Sequence, residues 1–219
     1  MIDLHTHTLF SDGVLLPAEL ARRAQVKGYR ALAFTDHVDS SNLDFVLPRL
    51  VAVCAALQSQ LSLTLIPGVE ITHVPPAQIA GLAARARQLG ARLVVVHGES
   101  VVEPVAPGTN RAALEADVDI LAHPGLLTAA EAELAARRRI CLEITTRKGH
   151  SLTNGHVAAL AVEAGAPLVV NNDAHAPADL VSLEFAEKVA LGAGMSPAAW
   201  QAARRQAATL VAKAQRCLS

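Results

Sequence analysis

Imidazole and carboxylate side chains supply the chemistry suggested by this sequence, and the first of them fall in Ile2-Asp3-Leu4-His5-Thr6-His7-Thr8. Read as a strand, this run alternates faces, so Asp3, His5 and His7 share one side while Ile2, Leu4 and Thr6 take the other. Two imidazoles so spaced converge on one point, and neutral imidazole is the commonest side-chain metal ligand. Packed or turn histidines also produce such a pair. Its meaning therefore depends on whether the chain repeats the pattern.

The chain does repeat it. Thr35-Asp36-His37, Pro67-Gly68-Val69-Glu70, His97-Gly98, Ala122-His123-Pro124-Gly125 and Asn172-Asp173-Ala174-His175 each close a short apolar run. Ser11-Asp12-Gly13 adds a carboxylate on a turn. His150 sits in a polar loop, whereas His156 falls inside a helical pattern and reads as a surface or packing residue.

The elements that must position these groups follow from the alternation of short apolar runs with longer helical patterns, the signature of repeated βα units around a parallel sheet. Seven strands are expected, over 2–7, 31–36, 63–70, 92–97, 119–123, 140–145 and 168–173. Helices are expected to begin near Pro17, Leu43, Pro76, Asn110, Thr128, Asn154 and Pro177, with Gly28, Gly90 and Gly165 closing helices before strands. An Ala-rich helix over 196–218, anchored by Trp200, is expected on the outside of the fold. The fold class is thus α/β, a distorted (β/α)7 TIM-like barrel with a C-terminal helix, formed as one domain over 1–219. In such a barrel the site lies at the carboxyl ends of the strands, and six of the seven expected strands end in a metal-ligand type.

Composition narrows the function further. A net charge of −1 and 3% aromatic residues give neither the electrostatic footprint nor the stacking platform of a tight nucleic-acid binder. Cys54, Cys141 and Cys217 are widely spaced in apolar or helical contexts and read as reduced, which makes a cytoplasmic location the expectation. No apolar run reaches membrane-spanning length, and the N-terminal run is no signal peptide.

From His5-Thr6-His7 through Asp173-Ala174-His175 the chain resembles the PHP (polymerase and histidinol phosphatase) superfamily, its histidinol-phosphatase-like branch in particular. The resemblance implies a distorted seven-stranded barrel and three divalent ions. His5, His7, Glu70 and Asp173 would hold the first, Glu70, His97 and His123 the second, and Asp12, His37 and His175 the third. Some family members carry His where this chain has Asp12. Mixed nitrogen and oxygen ligands without thiolate suit Zn, Mn or Fe. Three such ions bring about six positive charges; Asp12, Glu70, Asp173 and a bridging hydroxide cancel about four, leaving a site complementary to a phosphate monoester dianion.

The expected activity is therefore that of a metal-dependent phosphatase or phosphoesterase. A hydroxide bridging the metals would attack a small phosphate monoester, such as histidinol phosphate or a nucleoside monophosphate. Glu70, Asp173, His37 and His175 are the residues nearest that chemistry, with the two histidines acting mainly as ligands. Asp3 and Asp36 are candidates to orient imidazoles or to bond nearby backbone. Substrate contacts are expected from Arg147, Lys148 and His150 in the sixth βα loop, and from Glu99, with Glu103, in the fourth. The alternatives are a phosphodiesterase or exonuclease acting on short oligonucleotides, hydrolysis of a carbon-nitrogen bond, and, from another class, a non-catalytic metal-stabilised regulatory module.

Overall fold

The computed structural model describes residues 1–216. Its strands are β1 (Ile2–Asp3), β2 (Ala31–Phe34), β3 (His37–Val38), β4 (Thr64–Ile71), β5 (Leu93–His97), β6 (Ile120–Ala122), β7 (Cys141–Thr145) and β8 (Leu168–Asn171). All pairings are parallel, in the order β1-β2-β4-β5-β6-β7-β8, with β3 beside the far end of β4. The Thr6–Ala174 bridge, with His7 N donating to Ala174 O at 2.8 Å, ties the last segment back to the first and nearly closes the barrel at its carboxyl rim.

The helices are α1 (Pro17–Val26), α2 (Leu43–Gln58), α3 (Pro76–Gln88), α4 (Thr109–Glu115), α5 (Ala129–Arg138), α6 (Asn154–Ala164), α7 (Leu183–Gly192) and α8 (Pro197–Arg216). Local chemistry sets several of the starts. Pro17 and Pro76 open α1 and α3, where a missing N–H costs nothing. Thr128 caps α5 through a reciprocal box with Glu131. The helix expected from Pro177 is a short 3-10 turn; α7 begins only at Leu183, where Ser182 accepts from Phe185 N.

Alternation along the strands sorts the core into two layers. Leu32, Phe34, Val94, Val96, Leu142 and Ile144 face the helices. Ala33, Ile66, Leu93, Val95, Ile120, Cys141 and Val169 fill the barrel. Ala207, Leu210 and Ala214 of α8 belong to this inner layer, and α8 touches β8, β1 and β4. The C-terminal helix therefore closes the barrel base instead of packing outside, because its small residues admit it between strand ends; its expected extension to Leu218 lies outside the described residues. Leu4 joins the inner layer with Ile2, as alternation along the strand requires, whereas the next residue, His5, breaks the alternation to enter the barrel mouth. Pairing with β2 stops at Asp3, and Leu4 N donates to the Asn171 side chain, which turns the chain early.

Candidate metal centre

The polar residues of the rim lie where the ladders end. β4 carries Glu70 fully buried into the barrel mouth, and the β3–β4 register sets His37 directly beside it. β6 and β8 stop at Ala122 and Asn171. His123 and Asp173 follow with φ of 28° and 53°, left-handed values that cost a non-glycine residue on the order of 1–3 kcal/mol. This turn of the backbone brings both side chains inward.

Around Glu70 and Asp173 the histidines close in. His5 Nε2 lies 3.3 Å from Glu70 Oε2 and 3.7 Å from Asp173 Oδ1, and His7 Nε2 lies 3.2 Å from Asp173 Oδ1. His123 Nε2 stands 3.6 Å from Glu70 Oε1 and 3.7 Å from Asp173 Oδ2. A second group gathers on Asp12, with His175 Nε2 at 3.1 Å and His37 Nε2 at 3.5 Å, while His37 Nδ1 reaches Glu70 at 2.7 Å. The structure thus brings eight of the nine expected ligands, all but His97, into direct carboxylate contact across one cluster. His97 is one ring further out, 4.4 Å from the His123 ring, with its Nε2 on Glu103 at 3.0 Å.

Electrostatics divides this cluster: against the effect of burial, Glu143, Glu70 and Asp173 raise His5 well above its ordinary value and Glu70 raises His37, while other members are held in ligand-competent forms. Burial alone would raise Glu70 and Asp173, but His5 above all holds both carboxyls well below the usual range. Burial pushes His7 down to about 3, and burial with the His97 charge holds His123 well below its ordinary value. Two carboxylates and two neutral imidazoles result, the states in which these groups bind cations.

Buried polar atoms are rarely left without partners. Here His5 Nε2, both nitrogens of His7, both oxygens of Glu70 and His123 Nδ1 have no hydrogen-bond partner among the described residues. Such a concentration of orphaned donors and acceptors, in His/Asp/Glu groups whose ligand atoms lie within 4.8 Å of one another, fits divalent transition ions.

For Asp3 and Asp36 the structure shows the second of the two expected roles, bonding of nearby backbone. Asp3 Oδ1 accepts from His5 N and Asn172 N, while Asp36 accepts from Thr8 and Ser11 and fixes the turn that presents Asp12. Neither touches an imidazole. That task falls to Glu143 of β7, a strand from which no ligand was expected: Glu143 Oε1 accepts from His5 Nδ1 at 2.9 Å and Asn171 Nδ2 at 2.8 Å. A lone acid inside the apolar run Cys141-Leu142-Glu143-Ile144 was the available signal. Glu99 Oε1 accepts from Gly108 N and Asn110 N, so one oxygen of this carboxylate anchors its own loop.

Arg147 is half-buried beside the cluster, its guanidinium near the Asp173 carboxylate at 3.7 Å and Asp179 at 3.3 Å. Lys148 is exposed one residue further out. His150 is buried, stacked 4.2 Å from the His123 ring, and receives or donates a 2.6 Å bond at Ser100 Oγ. His73, a residue passed over in the sequence, stands at the mouth 2.9 Å from Glu103. Its signal was a histidine three residues beyond Glu70. A cleft of about 400 Å³ opens over the cluster, lined by Asp12, His37, Ser41, Thr72, His73 and Glu103 among others, with no lysine or arginine.

Comparison with known proteins agrees with this geometry. The PHP domain model matches residues 3–150. The uncharacterized protein MJ1295 of Methanocaldococcus jannaschii is 50% identical over 196 residues, 89% of this chain and 90% of that protein. A shorter match, 40% identical over 72 residues, reaches the 5'-3' exoribonuclease Rnm of Salmonella typhimurium; it covers 33% of this chain and 22% of the exoribonuclease. In fold, the chain is similar to the histidinol phosphate phosphatase of Lactococcus lactis, solved with zinc, L-histidinol and phosphate, at a TM-score of 0.62 and 15% identity over 89% of this chain and 94% of that one. Among the described residues no helix is long and apolar enough to cross a membrane.

Proposed function

The chain belongs to the PHP domain family, and from that premise we propose that it is a metal-dependent phosphoesterase acting on a small phosphate monoester. The observation that carries this reading is the set of orphaned, buried ligand atoms around Glu70 and Asp173. On this reading residues 1–219 form one such domain, since Asp173 and His175 complete the cluster from beyond the matched segment.

Three divalent ions, of Zn, Mn or Fe type, would be held by His5, His7, Glu70 and Asp173, by Glu70, His97 and His123, and by Asp12, His37 and His175. When bound, such ions supply positive charge for phosphate oxygens and ionise a water near neutral pH. The remaining work belongs to the chain. Glu70 and Asp173 fix the spacing of the cluster, and Glu143 holds the His5 Nδ1 proton so that Nε2 faces it. His37 and His175 act as ligands and leave Asp12 aimed inward. Arg147, already beside Asp173, is placed to grip a phosphate oxygen through its fork of donors. Lys148 and His150 flank that position, and the leaving group occupies the cleft.

The lining of the cleft favours the monoester over the oligonucleotide. Asp12, Asp39 and Glu103 face it without a balancing lysine or arginine, which repels a polyanionic strand and suits a neutral or cationic leaving group of the amino-alcohol kind. The test is phosphate release by protein of measured metal content, offered histidinol phosphate, nucleoside monophosphates and a short oligonucleotide. Fast release from one monoester supports the proposal. Stepwise mononucleotide release replaces it with the exonuclease, and no turnover by fully loaded protein replaces it with the regulatory module.

A further inference from the structure

His73, His97 and Glu103 form a group that the three-ion assignment leaves unused except for His97. Glu103 Oε2 is 2.9 Å from His73 Nε2 and 3.0 Å from His97 Nε2. All three residues offer ligand atoms within 4.8 Å of one another. Two imidazoles and one carboxylate are the donor set of open, three-ligand zinc sites, and zinc bonds of about 2.0–2.2 Å separate tetrahedral ligands by roughly 3.4 Å. Insertion of an ion therefore asks these atoms to part by only about half an ångström, replacing the proton that each imidazole shares with the carboxylate.

Three further features point the same way. His73 has φ of 53°, so its backbone is held in a conformation unfavourable to a side-chain-bearing residue while its ring is delivered to Glu103. The other oxygen of Glu103 is steadied by His150 Nε2 at 3.3 Å, and His150 is itself fixed by Ser100. His97 donates its Nδ1 proton to Gly98 O, which leaves Nε2 as its single ligating atom. With one ligating nitrogen, His97 turns to the outer group when that ion binds, and Glu70 and His123, which are 3.6 Å apart, are left to hold the second inner ion.

We propose that His73, His97 and Glu103 bind a further, exchangeable divalent transition ion at the mouth of the cleft, outside the three-ion cluster. His73 and Glu103 are 39% and 36% exposed, so this ion exchanges with solvent more readily than ions on the buried ligands. It also sits in the lining of the cleft, so excess zinc obstructs the leaving-group space and inhibits.

The test is equilibrium dialysis of the full chain against buffered zinc with the bound metal counted, in wild type, His73→Ala and Glu103→Gln. Wild type is expected to take up one weakly held equivalent more than either variant, with the tighter equivalents unchanged, and inhibition by excess zinc is expected to disappear in His73→Ala. Equal counts in all three proteins, or an extra equivalent that survives either substitution, overturn the proposal. The count requires no turnover. It therefore stands or falls separately from the phosphoesterase reading.

Discussion

Replacing Glu143 by Gln keeps the shape of the side chain and removes one acceptor, which makes it a direct probe of how the cluster is held. Glu143 receives three donors: His5 Nδ1 at 2.9 Å, Asn171 Nδ2 at 2.8 Å and His123 N at 3.2 Å. Glutamine can accept on one atom only. With its oxygen at the Oε1 position it retains His5 and Asn171, and its amide then faces His123 N, donor against donor. One buried donor left unpaired costs about 1–3 kcal/mol. Because a neutral amide is a weaker acceptor than a carboxylate for the retained His5 Nδ1, and the bond that is lost fixes the backbone of His123, the loss also falls on metal binding, where outer partners of ligating histidines are worth about 10–100-fold in affinity. Converted at about 1.4 kcal/mol per tenfold, that range is about 1.4–2.8 kcal/mol, overlapping the first estimate. The assay is competition with a chelator for the tightest-held ion, alongside a urea transition to show that the variant folds cooperatively. An affinity within about twofold of wild type, in a folded variant, refutes the claim that Glu143 orients the ligands.

Other expectations follow from single contacts. Chelation of an ion held at about a thousand times its dissociation constant removes about 4 kcal/mol, so the protein should melt about 8–16 °C lower by calorimetry for each ion removed; an unchanged melting temperature counts against a metal at the orphaned atoms. Arg147→Ala should raise KM for phosphate monoesters about tenfold in steady-state kinetics with kcat less affected, and an unchanged KM returns Arg147 to its pairing with Asp179. Thr128→Ala removes the α5 capping box and should cost about 1 kcal/mol, a fall of about 2–4 °C in melting temperature without change in kcat/KM. Burial pushes the Cys54 and Cys141 thiols up to about 12, so in a Cys217→Ser background a disulfide reagent at pH 8 should label neither until the chain unfolds; rapid native labelling contradicts their burial.

Much of this architecture was legible because parallel βα units place every strand's carboxyl end at the same rim, so a ligand type after each apolar run is enough to assemble the cluster on paper. His5, Glu70, His123 and Asp173 were found in this way. The residues missed are those whose roles arise only when distant loops meet. His73 and Glu103 are separated by 30 positions, and nothing local to either ties it to the other. Glu143 points into the barrel from the middle of a buried strand, and its partner His5 lies 138 positions away. The loop-anchoring role of Glu99 was hidden because a sequence shows the carboxylate but not the two backbone N–H groups that one of its oxygens accepts from. The place of α8 was hidden for a packing reason: alanines at helical spacing suit an outer face and a barrel plug equally until the strand ends they meet are known.

The molecule divides its tasks between the two ends of the barrel. At the base, α8 buries Ala207, Leu210 and Ala214 against the inner strand residues, and no polar atom of the cluster takes part. At the rim, His73, His123 and Asp173 hold left-handed backbone and several ligand atoms lack partners. Each strained residue costs on the order of 1–3 kcal/mol, and without metal the contacts among the rim residues leave several of their buried ligand atoms unpartnered. The rim rests on the packed strands beneath it, which keep its unpartnered ligand atoms facing one another. Substitutions in α8 should accordingly lower melting temperature and leave the tightest metal affinity unchanged, whereas Asp173→Asn should weaken that affinity. Coupled losses of stability and affinity from both ends would show that the rim depends on the base for more than support.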